Sequence, residues 1–154
     1  MKQPIQQKGV AAVEFAILLP MLLLIAFGIT EFGRAMYTYN TLVKATRDAA
    51  RYAMEKQPGG VADAGTQCMA VYGKEACNPG TDVPLAPGLT TAMVSICDWP
   101  RCPGTHQSQG SAPAINLVTV TITGYAFQSF VPFVTADLSS IPFAPISTTM
   151  RGNL

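Results

Sequence analysis

The stretch from Val10 to Ile29 limits what this chain can fold into more than any other, because Glu14 is its only ionisable residue. A helix needs about 20 apolar residues to cross a hydrocarbon core of roughly 30 Å, and this run supplies that length. Lys2 and Lys8 precede it, whereas Glu31 and Arg34 follow it and offset each other. The positive-inside bias therefore predicts a cytoplasmic N-terminus and an outward-facing remainder. A cleavable secretory signal competes with this reading, but its apolar core would span only about 7 to 15 residues and end at a small-x-small site. Ala26-Phe27-Gly28 is a poor version of such a site, and the apolar pattern runs through it. A buried core helix fits worse, since little of the remaining chain could cover so apolar a rod.

Composition agrees with a life partly in lipid. Of 154 residues, 49% are hydrophobic and only 12% charged, against about 25% charged in soluble domains. That length allows one modest domain beside an anchor. The net charge of +1 provides no basic field to collect phosphates, which argues against nucleic acid as a partner.

Past Ile29 the pattern becomes one-sided. Phe32, Met36, Tyr39, Val43, Ala50 and Ala53 recur at helical spacing, while Arg34, Thr38, Thr41, Lys44, Asp48, Arg51 and Glu55 occupy much of the other face. Lys44 with Asp48 and Arg51 with Glu55 stand four apart and can pair, although a solvated face is the preferred reading of these charges. The helix is expected to continue to about Glu55, until Gln57-Pro58-Gly59-Gly60 stops it. Together the halves make a rod of roughly 45 residues, near 70 Å at 1.5 Å per residue. Pro20 removes one hydrogen bond from the membrane half and is expected to bend it.

After Pro58 the chain is rich in Gly, Pro, Ser and Thr, with no helical periodicity of useful length. The clearest strand is 116–123, where Val118, Val120 and Ile122 face one side and Thr119, Thr121 and Thr123 the other. Residues 91–97 and 146–151 are further strands, and 125–146, with Phe127, Phe130, Phe133 and Phe143, reads as a long loop over one edge. So few strands enclose little volume, so the apolar face of residues 32–53 is expected to pack on them. The fold class is α+β: a long N-terminal helix, half transmembrane and half amphipathic, on a small antiparallel sheet. The expected divisions are a leader at 1–9, a transmembrane helix at 10–29, its amphipathic continuation at 30–56 and an extracytoplasmic domain at 57–154.

Cys68, Cys77, Cys97 and Cys102 all lie on the outward side, where oxidising conditions make disulfides the default. Four cysteines allow three pairings, and proximity favours Cys68 with Cys77 and Cys97 with Cys102. Zinc is the alternative, but neither spacing is C-x2-C, and His106 is the one histidine. His106 sits among Gly, Ser and Gln and reads as a solvated loop residue. No triad, phosphate loop or close carboxylate pair can be assembled in the outer part, so neither an enzyme nor a small-molecule substrate, cofactor or metal is expected.

Glu14 remains unexplained by a simple anchor. An ionisable side chain inside a membrane segment is costly and usually has a partner. Cleavage after Gly9 would make Val10 a charged α-amino terminus, with Glu14 four residues along the same helix.

Gly9-Val10-Ala11-Ala12-Val13-Glu14-Phe15 resembles the G-x4-E-[FY] processing motif of type IV pilin-like precursors, which a prepilin peptidase cuts after the glycine. The wider stretch from Gly9 to Ala53, with Glu31-Phe32-Gly33-Arg34-Ala35 and Ala49-Ala50-Arg51-Tyr52-Ala53, resembles the TadE-like family of pseudopilins or minor pilins in tight-adherence (Tad) pilus systems. The resemblance implies that Gly9 precedes the scissile bond, Val10 becomes the new N-terminus, and Glu14, beside Phe15, serves in subunit registration. It implies as partners a prepilin peptidase, other pilin and pseudopilin subunits and membrane lipid. It places the protein in the bacterial inner membrane, passing once, or in the surface pilus, where it serves adherence. Cleavage would remove Lys2 and Lys8 from 10 basic residues against 9 acidic ones, turning the net charge from +1 to −1 before the new amine is counted.

Two other classes of function compete: a single-pass membrane protein whose disulfide domain binds an extracytoplasmic ligand unrelated to pili, and a secreted domain released by an ordinary signal peptidase. The mature N-terminus separates all three, at Val10, at an unprocessed start, or near Ile29.

Overall fold

The computed structural model describes residues 9–56, 62–99, 101–106, 116–130 and 140–152. Its dominant element is α1, Val10–Met54, a single helix of 45 residues. The helix runs unbroken through Pro20, where a bilayer helix tolerates the missing donor. It closes with Arg51 in its last turn, near the negative end of the helix dipole. The expected stop at Gln57-Pro58-Gly59-Gly60 and the leader residues 1–8 lie outside the described residues.

The two halves of α1 differ completely in burial. Every residue from Val10 to Thr30 is exposed, whereas Thr38, Leu42, Ala45, Thr46, Ala49, Ala50 and Ala53 are buried in the outer half. This corrects the expected apolar face. Ala50 and Ala53 belong to it and Val43 flanks it, but Phe32 and Met36 are 68% and 46% exposed. Tyr39 is 41% exposed and meets the Phe143 ring, 5.7 Å away edge to face. The buried stripe is built from small residues because the sheet lies close against the helix. Thr46 is tolerated there because its hydroxyl donates to the Val43 carbonyl at 2.9 Å and meets the Thr148 hydroxyl at 3.0 Å. Among the described residues, neither Lys44 with Asp48 nor Arg51 with Glu55 forms an ion pair, so these charges make a solvated face.

The sheet has three antiparallel strands in the order β1-β2-β5. They are β1, Val94–Cys97, β2, Asn116–Ile122, and β5, Ile146–Gly152. In the central strand β2, Asn116, Val118, Val120 and Ile122 are buried while Leu117, Thr119 and Thr121 are half-buried, the alternation the sequence predicts. Val120 pairs with Ile96 on one side and Thr148 on the other. At Gly152 an added Cβ would stand 2.9 Å from Asn116 Nδ2 and 3.2 Å from Val118 Cγ2, so a side chain there would have to displace the ends of both. Helix α1 lies across β2 and β5, and its Leu42, Ala49 and Ala50 share one core with Val118, Val120, Ile122 and Ile146.

Three further elements depart from expectation. Residues after Pro58 include a helix, α2, Ala62–Tyr72, which packs on α1 through Ala70 and Val71. The expected strand at 91–97 begins as a 3-10 turn, Thr91–Met93, and extends only from Val94. The expected loop at 125–146 contains a second, two-stranded ladder, β3, Ala126–Gln128, against β4, Ser140–Pro142. Phe143 follows β4 and stacks on Phe127 at 6.3 Å while touching Tyr125 and Tyr39. Phe133 lies outside the described residues.

Candidate functional site

Gly9 occupies the N-cap position of α1 and its carbonyl accepts the Val13 N–H at 3.2 Å. Val10 is the first helical residue, and Glu14 stands four residues on, one turn away on the same side. Gly9, Val10, Glu14 and Phe15 are all exposed, on a helix whose most apolar window is 0% buried by the rest of the chain. This one apolar N-terminal helix is a candidate membrane anchor. Among the described residues the Glu14 carboxylate has no hydrogen-bond or ion-pair partner. A carboxylate on so apolar a rod is left to find its counter-charge outside the described chain.

A second polar cluster sits just past the apolar run, and sequence reading did not assemble it. Arg34 donates from Nη1 to Glu31 Oε1 at 2.6 Å, and Glu31 Oε2 accepts the Phe130 backbone N–H at 3.3 Å. The Arg34 guanidinium carbon lies 3.8 Å from the Phe130 ring centroid and 5.2 Å from that of Phe127, within cation–π range of both. Burial works against charge on Glu31, but the hydrogen bond and charge of Arg34, with bonds from Ser129 and Phe130, outweigh it and hold the carboxyl below its ordinary value. The motif Glu31-Phe32-Gly33-Arg34-Ala35 thus includes a clamp between the middle of α1 and the segment that follows β3. The spacing of Glu31 and Arg34, one turn apart, was the available signal; the aromatic partners lie 99 residues along the chain.

At the far end of the domain, Cys68 in α2 is bonded to Cys77 in the following loop, and Cys97 at the end of β1 to Cys102. Cys102 leads into a short helical turn, α3, Pro103–His106. His106 is half-buried rather than a solvated loop residue: Nε2 lies 2.8 Å from the Thr119 hydroxyl and Nδ1 2.7 Å from that of Thr105. The Cys97 and Cys102 sulfurs and His106 come within 4.8 Å of one another. The two sulfurs are bonded together, so neither offers the thiolate a soft cation would need. Along the middle of α1, an open groove of ≈ 540 Å³ runs between Gly33, Tyr37 and Thr41 and the segment Leu85-Ala86-Pro87. The Tyr125 hydroxyl fixes that segment by donating to the Pro87 carbonyl at 3.0 Å.

Residues 9–51 match the model of a family described as TadE-like protein. No curated protein and no solved structure matches the chain. The matched segment covers the apolar run, Glu14, the Glu31–Arg34 clamp and most of the buried helical stripe. A TadE-like segment suggests a protein associated with a Tad pilus and with its other components, of a structural rather than enzymatic kind.

Proposed function

We propose that the chain is a pilin-like assembly subunit of a Tad pilus, cut after Gly9 by a prepilin peptidase and acting as a minor pilin or assembly primer in adherence. The observation that carries this reading is the unpartnered Glu14 carboxylate one turn from Val10, on an apolar helix that the rest of the chain leaves bare. Cleavage creates an ammonium group at Val10, cationic at neutral pH. A carboxylate inside the bilayer costs up to about 2.5–3.5 kcal/mol at the centre on insertion scales, and less at the depth of Glu14, near the edge of the run. Pairing it with the Val10 amine of its own or a neighbouring helix offsets part of that cost, so side-by-side helices neutralise one another. Phe15 stands beside this pair and offers packing surface to the neighbouring helix.

The orientation follows from charge. Lys2 and Lys8 hold the precursor at the cytoplasmic face, where a prepilin peptidase would meet Gly9, and the outer domain with its disulfides faces the oxidising side.

The test replaces Glu14 without touching the apolar run or the processing glycine. Glu14→Gln is expected to insert and to be cut normally, yet to lose crosslinking between processed subunits and to lower the number of surface pili. Glu14→Asp keeps the charge with a shorter reach and is expected to be partly competent. Wild-type association and piliation by Glu14→Gln would overturn the assembly role.

A further inference from the structure

Phe130, two residues past the end of β3, is 78% exposed, an expensive place in water for a large apolar ring. Its height above the anchor is set by the Glu31 carboxylate, which accepts its backbone N–H. Glu31 follows Ile29 by two residues, a rise of about 3 Å along the helix. Phe130 therefore sits at the level where the apolar run ends, although it is 99 residues from Glu31 in sequence. Phe32, 68% exposed, stands at the same level on α1. Arg34 lies against Phe130, its charge balanced by Glu31 and its guanidinium stacked on that ring. An ion pair already closed on itself and shielded by aromatic rings loses little on entering a headgroup layer, and an Arg is more weakly hydrated than an ammonium.

We infer that Phe130, braced by Arg34, forms a second lipid contact beside the helix, with Phe32 at the same level on another face of α1, and that this contact seats the outer domain in the interfacial layer of the bilayer. The inference rests on the reading of residues 10–29 as a membrane span, and the continuity of this patch with that span identifies lipid as its occupant. The domain is then held at a fixed angle to the membrane by two points, the helix and the segment that follows β3. Arg34 joins the two points, because it pairs with Glu31 on the helix and stacks on the Phe130 ring. Trp99 follows β1, whose Cys97 pairs with Thr119 of β2 while Val94 pairs with Ile122, so the chain leaves β1 on the side away from the Ile122 end that leads to Phe130. Any step that draws the helix out of the bilayer has to withdraw Phe130 with it.

The chain contains one tryptophan, Trp99, which makes a depth measurement direct. The full chain is reconstituted into phosphatidylcholine vesicles whose acyl chains carry bromine, and tryptophan emission is compared with that in unbrominated lipid. Three proteins are read: the unaltered chain, Phe130→Trp in a Trp99→Phe background, and Leu22→Trp in the same background. The expected result is strong quenching for Leu22→Trp, intermediate quenching with a blue-shifted maximum for Phe130→Trp, and none for Trp99. Quenching of Leu22→Trp without quenching of Phe130→Trp would overturn the lipid contact while leaving the membrane span intact. Absence of quenching at Leu22→Trp would overturn the span and the contact together. A blue-shifted Phe130→Trp that bromine does not quench would mark burial against a second copy of the chain, and would also overturn the proposal.

Discussion

Leu42→Ala should be among the most damaging single changes in the outer domain, because Leu42 is 0% exposed and, among the described residues, one of the largest side chains to be fully buried. It sits where α1 crosses the sheet, in the core shared with Val120 and Ile122. Truncation removes three carbons, which at about 0.8 kcal/mol per buried methylene gives roughly 2.4 kcal/mol of lost transfer energy. The void left behind adds about 1 kcal/mol at roughly 24 cal/mol per Å³ if some 40 Å³ stays unfilled. The sum, about 3–4 kcal/mol, is a large share of the roughly 5–15 kcal/mol that holds an ordinary domain folded. Phe32→Ala and Met36→Ala provide the contrast, since both side chains point away from the domain and each is expected to change its stability by less than about 0.5 kcal/mol. Guanidinium unfolding of the detergent-solubilised chain, read by Trp99 emission, measures all three, with the midpoint of Leu42→Ala shifting well below the others. Near-equal midpoints for Leu42→Ala and Met36→Ala would refute the placement of the helix on the sheet.

Two other perturbations follow from the same contacts. Replacing Cys68 and Cys77 together by Ser opens a loop whose ends are 9 residues apart and should cost about 2–3 kcal/mol by chain entropy, read as a lower unfolding midpoint that reductant no longer changes further at this bridge; a midpoint equal to wild type would refute the bridge. Glu31 has its carboxyl held below its ordinary value of 4.5 in the folded chain, so its contribution is complete above that pH and is lost as pH falls through the lower folded value. Glu31→Gln should therefore cost about 1–2 kcal/mol near pH 7 and flatten the loss of stability on acidification below pH 4.5, and an unchanged acid profile would contradict the clamp.

What could be read from the sequence depended on how many residues carried each signal. The apolar run and its amphipathic continuation specify α1 almost to its last residue, since many positions repeat one message. The side that faces the sheet was harder to read. Near a membrane, Phe32 and Met36 need not enter the protein core to leave water, whereas Thr38 and Thr46 can enter it because a threonine hydroxyl on a helix can be satisfied by backbone one turn back. Hydrophobicity therefore pointed to the wrong edge of the stripe. Helix α2 was hidden because its buried positions, Thr66, Cys68, Ala70 and Val71, are modest in size and span a single short segment. In the β3–β4 ladder three residues pair with three, too few to show a period. The Glu14 signal was local and therefore visible, while the clamp was half visible: Glu31 and Arg34 are neighbours on a helix, but Phe127 and Phe130 reach them only through the fold.

The clamp and the Glu14 position divide the work of α1. Below Glu31 the helix exposes every residue and is free to meet lipid or neighbouring helices; above it, the helix is the spine of the domain. Glu31 and Arg34 mark the change and fix the domain to the rod at that level.

The claim on which the account turns is the position of the mature N-terminus. Intact-mass measurement of the membrane-extracted protein, from cells with and without their prepilin peptidase, tests it most directly. The account predicts a chain beginning at Val10 when the peptidase is present and the unprocessed precursor when it is absent. A precursor mass in both, or a chain beginning near Ile29, would contradict it.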